Sequence, residues 1–264
     1  MSFTLQSKSV IASAMACALS MAACGLARGD EIAFDNFTSL GGNCYFCTGP
    51  NSQDGFLFPW DSGAADDFVL MPSVDPSGKW KLTALSWSGA IPMGGGTPVP
   101  VGLFNIIIWP QDMNGPKPAG GTPMGSPDYS QALYHFEDVP TLAEPNENGE
   151  RFWDYSATLP AGVVLDSNVP YWLEIQAVVG FLPYWTWQPV NSGQGAVPHI
   201  GDTLLGVPFW DENGSVLDLS FTLYGEPAPE PGTAMLLLAG AGGLVLRRRR
   251  QGSMSGPGML DRRA

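Results

Sequence analysis

The residues best suited to chemistry fall into a few groups. Cys44 and Cys47 flank Tyr45 and Phe46 inside a Gly-rich stretch, Gly41 to Gly49. Such a pair can close a local disulfide, serve as a redox couple, or supply half of a zinc site. A redox couple wants a helix N-terminus in a thioredoxin-like setting, and zinc wants a second Cys pair. The sequence offers neither. A disulfide between Cys44 and Cys47 is therefore expected in an oxidising compartment.

His135 and His199 are the only histidines. His135 and Glu137 stand two apart, so one strand face would carry both, as two metal ligands or as ordinary surface residues. No G-x-S-x-G elbow occurs, which leaves Ser-His-Asp hydrolysis unsupported. Asp66 and Asp67 open a strand where carboxylates would offer oxygens to Ca²⁺, although solvated acidity or turn capping explains them equally. Acid pairs are plentiful, so a secreted glycan hydrolase with two facing carboxylates stays among the alternatives. Glu174 alternates with Leu173 and Ile175 and would face outward beside Trp172.

Aromatic residues crowd between Tyr171 and Trp187, with Trp172, Phe181, Tyr184 and Trp185 between them. Trp185 and Trp187 would share a strand face with indoles about 7 Å apart. With Trp172 they offer a flat platform for sugar rings, or they fill a core, the usual destiny of tryptophan in a β-fold.

The elements that must position these residues follow from composition. Charged residues are 14%, aromatics 11%, and the chain holds 33 Gly and 24 Pro. That pattern excludes coiled coils and long helical arrays, and 44% apolar content argues against general disorder. No internal repeat and no persuasive amphipathic helix occur in the body, so βαβ folds are disfavoured. Strand-like runs punctuated by turn residues cover 32–38, 65–71, 80–88, 101–109, 132–136, 151–159, 171–179, 183–188 and 216–224. In 79–88 the apolar phase switches between Ala84 and Leu85, which predicts a bulge. In the last run Leu217, Leu219, Phe221 and Leu223 share one fully apolar face. The expectation is all-β, an antiparallel, jelly-roll-like β-sandwich over residues 30–225.

Charge separates this body from its ends. Residues 30–230 hold 24 of the 25 acids and only Lys79, Lys81, Lys117 and Arg151 among the 12 bases. So acidic a body repels phosphate backbones, which excludes nucleic acid as a partner. Lys8, an apolar run from Val10 to Ala23 and the small-residue exit Ala27-Arg28-Gly29 read as a signal peptide over residues 1–29. A lipoprotein reading through Cys24 ranks second, because Met21 suits a lipobox poorly. At the other end, the apolar run Thr233–Leu246 spans 14 residues, about 21 Å as a helix. A bilayer core is about 30 Å thick, so this hydrophobic helix makes a marginal anchor, with Arg247, Arg248, Arg249 and Arg250 as its cytoplasmic stop.

Pro229-Glu230-Pro231, the short Gly/Ala/Leu-rich segment and the Arg cluster together resemble the PEP-CTERM sorting signal of exported bacterial proteins. The resemblance covers residues 228–250 and implies an exosortase-type protease and the secretion machinery as partners. It also implies delivery to the cell surface or the exopolysaccharide matrix. The sorting and anchor segment is placed at 226–250. Residues 251–264 are expected to be a short disordered tail, which departs from the family pattern of ending near the arginines. An ordinary tail anchor is the alternative. The body is similar to domains often found ahead of such signals, through Ala64–Leu70, Leu82–Trp87, Phe104–Ile108, Tyr171–Ile175, Trp185–Trp187 and Leu219–Gly225. Those domains are two-sheet sandwiches with no assigned activity. The sequence thus reads as an exported, non-catalytic surface or matrix protein without a cofactor, Ca²⁺ aside. The alternatives are a displayed carbohydrate-binding module and a glycan hydrolase.

Overall fold

The computed structural model describes residues 30–36, 52–55, 60–75, 77–91, 99–123, 126–145, 152–179, 185–190, 198–202, 207–212 and 218–228. Fifteen strands lie among them. The first eight are β1 (Glu31–Asp35), β2 (Gln53–Gly55), β3 (Trp60–Val69), β4 (Lys79–Ala90), β5 (Leu103–Pro110), β6 (Tyr134–Pro140), β7 (Leu142–Pro145) and β8 (Trp153–Asp166). There follow β9 (Pro170–Val179), β10 (Thr186–Trp187), β11 (Pro189–Val190), β12 (His199–Asp202), β13 (Val207–Glu212), β14 (Asp218–Leu219) and β15 (Phe221–Pro227). One 3-10 turn, Tyr129–Gln131, precedes β6.

The strands form two main sheets. One runs β1-β15-β4-β8-β7 with β10 added on β4, and the other runs β13-β12-β3-β2-β9-β5-β6. Pairing is antiparallel except between β2 and β9, and β11–β14 make a small separate ribbon. The chain passes back and forth between the sheets, the jelly-roll-like trait of a sandwich.

Period-two patterning decides which side chains enter the space between the sheets. Leu219, Phe221 and Leu223 of the expected apolar face are all fully buried there. Phe104 sits at the centre, with Trp87, Tyr155 and Trp185 ring centroids 4.9–5.2 Å away in edge-on contacts. Burying each such aromatic contributes about 1.5–3 kcal/mol. The expected bulge is present, slightly earlier than its sequence position. Both neighbours of β4 shift register at Thr83, between Leu82 and Ala84.

The seven-stranded sheet is covered on its outer face as well. Ala65, Ile107, Trp109 and Trp172 project there beneath Phe209 and Trp210 of β13, forming a second apolar cluster. Burial on both faces explains why Phe104–Trp109 reads as an almost unbroken apolar run.

Candidate functional site

The three indoles of the expected glycan platform are all fully buried. Trp185 and Trp187 enter the core between the sheets, and Trp172 enters the outer cluster on the opposite face. Trp187 Nε1 donates to the Ser220 carbonyl at 2.9 Å, and Trp172 stands edge-on to the His199 ring at 4.9 Å. No face of these rings is open to a sugar. The platform reading is therefore corrected: adjacent strands close over both faces, and the regular strand around Trp187 is only two residues long.

Asp66 and Asp67, neighbours on β3, point to opposite faces and do not converge on one ion. Asp66 is buried between the sheets, where its Oδ2 accepts the Leu219 N–H at 2.6 Å and its Oδ1 the Asp67 N–H at 3.1 Å. Burial pushes its carboxyl well above the ordinary carboxylate range, and the nearby Asp218 pushes the same way, against the Leu219 hydrogen bond. Asn36 donates toward Asp66 Oδ2 at 3.5 Å and to the Leu219 carbonyl at 3.0 Å. Asp66 thus ties β3 to β14, the short strand just ahead of β15. Among the described residues, no group of three or more His, Cys, Asp or Glu gathers around a common point.

Glu174 does face outward beside Trp172, yet it is fully buried, because Phe209 and Trp210 of the edge strand β13 pack across that face. Trp109 Nε1 donates to its Oε2 and Gln176 Nε2 to its Oε1, both at 2.9 Å. Tyr129 stacks on His135 at 4.6 Å, and its hydroxyl accepts from Gln176 Nε2 at 3.2 Å. Gly63 is obligatory beneath this network, since a Cβ there would stand 2.5 Å from Glu174 Oε1. Trp210 holds a left-handed backbone at φ 65, and its indole N–H has no partner among the described residues. β13 carries no strong alternation in the sequence, so this cover could be found only in three dimensions.

An open groove of about 520 Å³ lies where the two sheets meet along β6 and β8. β7 pairs with β8 only through residues 153–156, which leaves the following edge of β8 without a strand partner among the described residues. Opposite Thr83, β8 bulges through Leu159–Gly162, and Gly162 adopts φ 107, a conformation that favours glycine. His135, Glu137, Asp138, Thr158 and Pro160 line the groove. His135 Nε2 and Glu137 Oε1 lie 3.9 Å apart, on one strand face as their spacing implies. Next along β6, the Tyr134 hydroxyl accepts the Val164 N–H at 3.0 Å and reaches the Val164 carbonyl at 3.2 Å.

The last described segment is the other notable site. β15 runs two residues past Gly225, and its Pro227 pairs with Trp80 of β4. Ala228 N–H then donates to the Lys79 carbonyl at 2.9 Å, while Ser77 Oγ donates to the Ala228 carbonyl at 2.6 Å. The family model of the PEP-CTERM protein-sorting motif matches residues 227–251. The chain carries this sorting motif. Its presence indicates an exported bacterial protein, sorted by an exosortase to the cell envelope or surface. No curated protein and no solved structure matches the chain. The motif's first residue, Pro227, is paired in β15 and its second, Ala228, is hydrogen-bonded to Lys79 and Ser77, so folded body and PEP-CTERM segment adjoin without a linker. Pro229, Glu230, Pro231, Arg247–Arg250, the signal peptide, Cys44 and Cys47 all lie outside the described residues, as do the hydrophobic helix and the tail after it. Among the described residues, no helix is long and apolar enough to cross a membrane.

Proposed function

We propose that this protein is a non-catalytic β-sandwich displayed on the bacterial surface or in the extracellular matrix, with the entire sandwich as the cargo of its sorting signal. One observation carries the reading: the PEP-CTERM motif begins on residues still paired to β4. The deeply buried acids support a structural body, because Asp66 and Glu174 accept hydrogen bonds that hold strands and cover together. Replacing Pro229, Glu230 and Pro231 with alanine is expected to leave membrane insertion intact and abolish processing, seen as a larger, membrane-retained band. Processing and surface delivery equal to the parent would overturn the sorting reading.

A second reading, glycan binding, is favoured by the open groove between β6 and β8 and not by the buried indoles. A polysaccharide array probed with the exported protein and with Glu137→Ala/Asp138→Ala tests it. Unchanged binding in the variant, or none in the parent, removes the groove as a glycan site.

A further inference from the structure

The end of the sandwich from which the sorting segment leaves is unusually apolar. Val69, Met71, Val74 and Val169 are all exposed there, Val74 at 75%. They belong to one hydrogen-bonded patch with the exit point. Ala228 is bound to Lys79 and Ser77, and Ser167 N–H donates to the Gly78 carbonyl at 2.7 Å. Ser73 N–H donates to Ser167 Oγ at 3.3 Å, and Asn168 N–H to the Leu70 carbonyl at 3.3 Å. Val69 pairs with Pro170, the residue after Val169.

The chain's own reach fixes what this end must meet. Five residue steps separate Ala228 from Thr233, where the apolar run begins. Fully extended, five steps span at most about 17 Å. The headgroup layer on each side of a bilayer takes up about 5–8 Å of that distance. A chain whose apolar run has entered the membrane therefore holds its body no more than about 9–12 Å from the headgroup surface. Two of the body's four bases, Lys79 and Lys81, also lie at this end, paired with Asp166 and Glu226 at 2.5 and 2.8 Å. These pairs offset carboxylates where an otherwise acidic body would repel an anionic lipid surface.

We propose that the Val69–Met71–Val74–Val169 end of the sandwich seats on the lipid headgroup layer while the sorting segment is in the membrane. The inference rests on the sorting reading, since only an inserted segment holds the body there. The body then stands with β15 pointing at the bilayer, and Pro229–Pro231 is confined to the interface, the depth at which a membrane protease would act.

The test uses the full chain in its bacterial membrane, with p-benzoylphenylalanine replacing Val74 or, as a control, Val99. Phe104, a few residues beyond Val99, pairs with Ala177, seven positions along β9 from Pro170. That separation sets the two ends about 23 Å apart at 3.3 Å per residue. Membranes are isolated, irradiated and searched for adducts by mass spectrometry. The expected result is an excess of lipid adducts of about tenfold at position 74 over position 99, given that height difference. Equal or absent lipid adducts in membrane-retained chain overturn the seating alone. Adducts at position 74 solely to a protein overturn it in favour of a protein dock. A chain missing from the membrane fraction overturns the sorting reading and this inference together.

Discussion

The two faces of the seven-stranded sheet are both buried, but they are built differently. The inner face meets the second sheet through interlocking aromatics around Phe104, and its buried Asp66 reaches across to the Leu219 N–H of β14. The outer face is covered by Phe209 and Trp210 of its own edge strand β13 and by the turn that begins at Tyr129. There a carboxylate, an amide and indoles share the space, Trp210 keeps a left-handed backbone, and two indole N–H groups lack partners among the described residues. The inner face is held by packing, whereas the outer face depends on a polar network that must stay complete. A partly satisfied network of this kind is costly to disturb and weak as a source of stability.

The largest effect is expected on the inner face. Phe104→Ala opens a cavity amid three aromatic rings and should cost about 3–5 kcal/mol, read as a lower urea midpoint with unchanged slope. A loss below about 1 kcal/mol would mean that the inner core is not close-packed.

The outer face should respond to chemistry more than to volume. Trp109→Phe removes one of Glu174's hydrogen-bond donors and should cost about 1–3 kcal/mol for the carboxylate left short of a partner, in addition to lost packing. Trp87→Phe makes the same change across the inner core, on β4 of the facing sheet, where that indole N–H has no partner among the described residues. It should cost less, by denaturant titration of both variants side by side. Equal losses would erase the distinction between the faces.

The smallest effect under acid conditions belongs to Asp66→Asn. Burial raises the folded-state pKa of Asp66 above its unfolded value, so the folded protein binds the proton more tightly. The stabilisation this gives is complete below about pH 4 and is lost as pH rises through the folded-state value. The amide introduced by this substitution would mimic the neutral acid and keep an acceptor for the Leu219 N–H. The variant should then match the parent near pH 4 and be increasingly favoured over it at higher pH. Parallel stability curves for parent and variant would show that Asp66 does not titrate in this range.

Legibility followed the same division. Runs that pack against the inner core announced themselves, because one face of each had to be apolar: Trp80–Trp87 and Leu219–Leu223 could be placed from alternation alone. β2, β7, β12 and β13 escaped, being short or lacking a clean period. Missing the β13 cover changed the reading of the site. Without it Glu174 looked solvated, and the outer side of Trp172 looked open. The sorting motif was readable from three successive compositions, since proline, apolar and arginine segments need no tertiary partner to be recognised. The β6–β8 groove left no trace, because it arises from a bulge and an unpaired edge brought together across the two sheets.

The position of β15 has a consequence for how the sheet is completed. It is the last strand in the chain, yet it lies between β1, the first, and β4. Its Phe221 and Leu223 fill the core only once that strand is in place. The strand that joins β1 to β4 is therefore the last part of the body before the sorting motif, and a chain that ends ahead of Phe221 leaves β1 without its neighbour in the sheet.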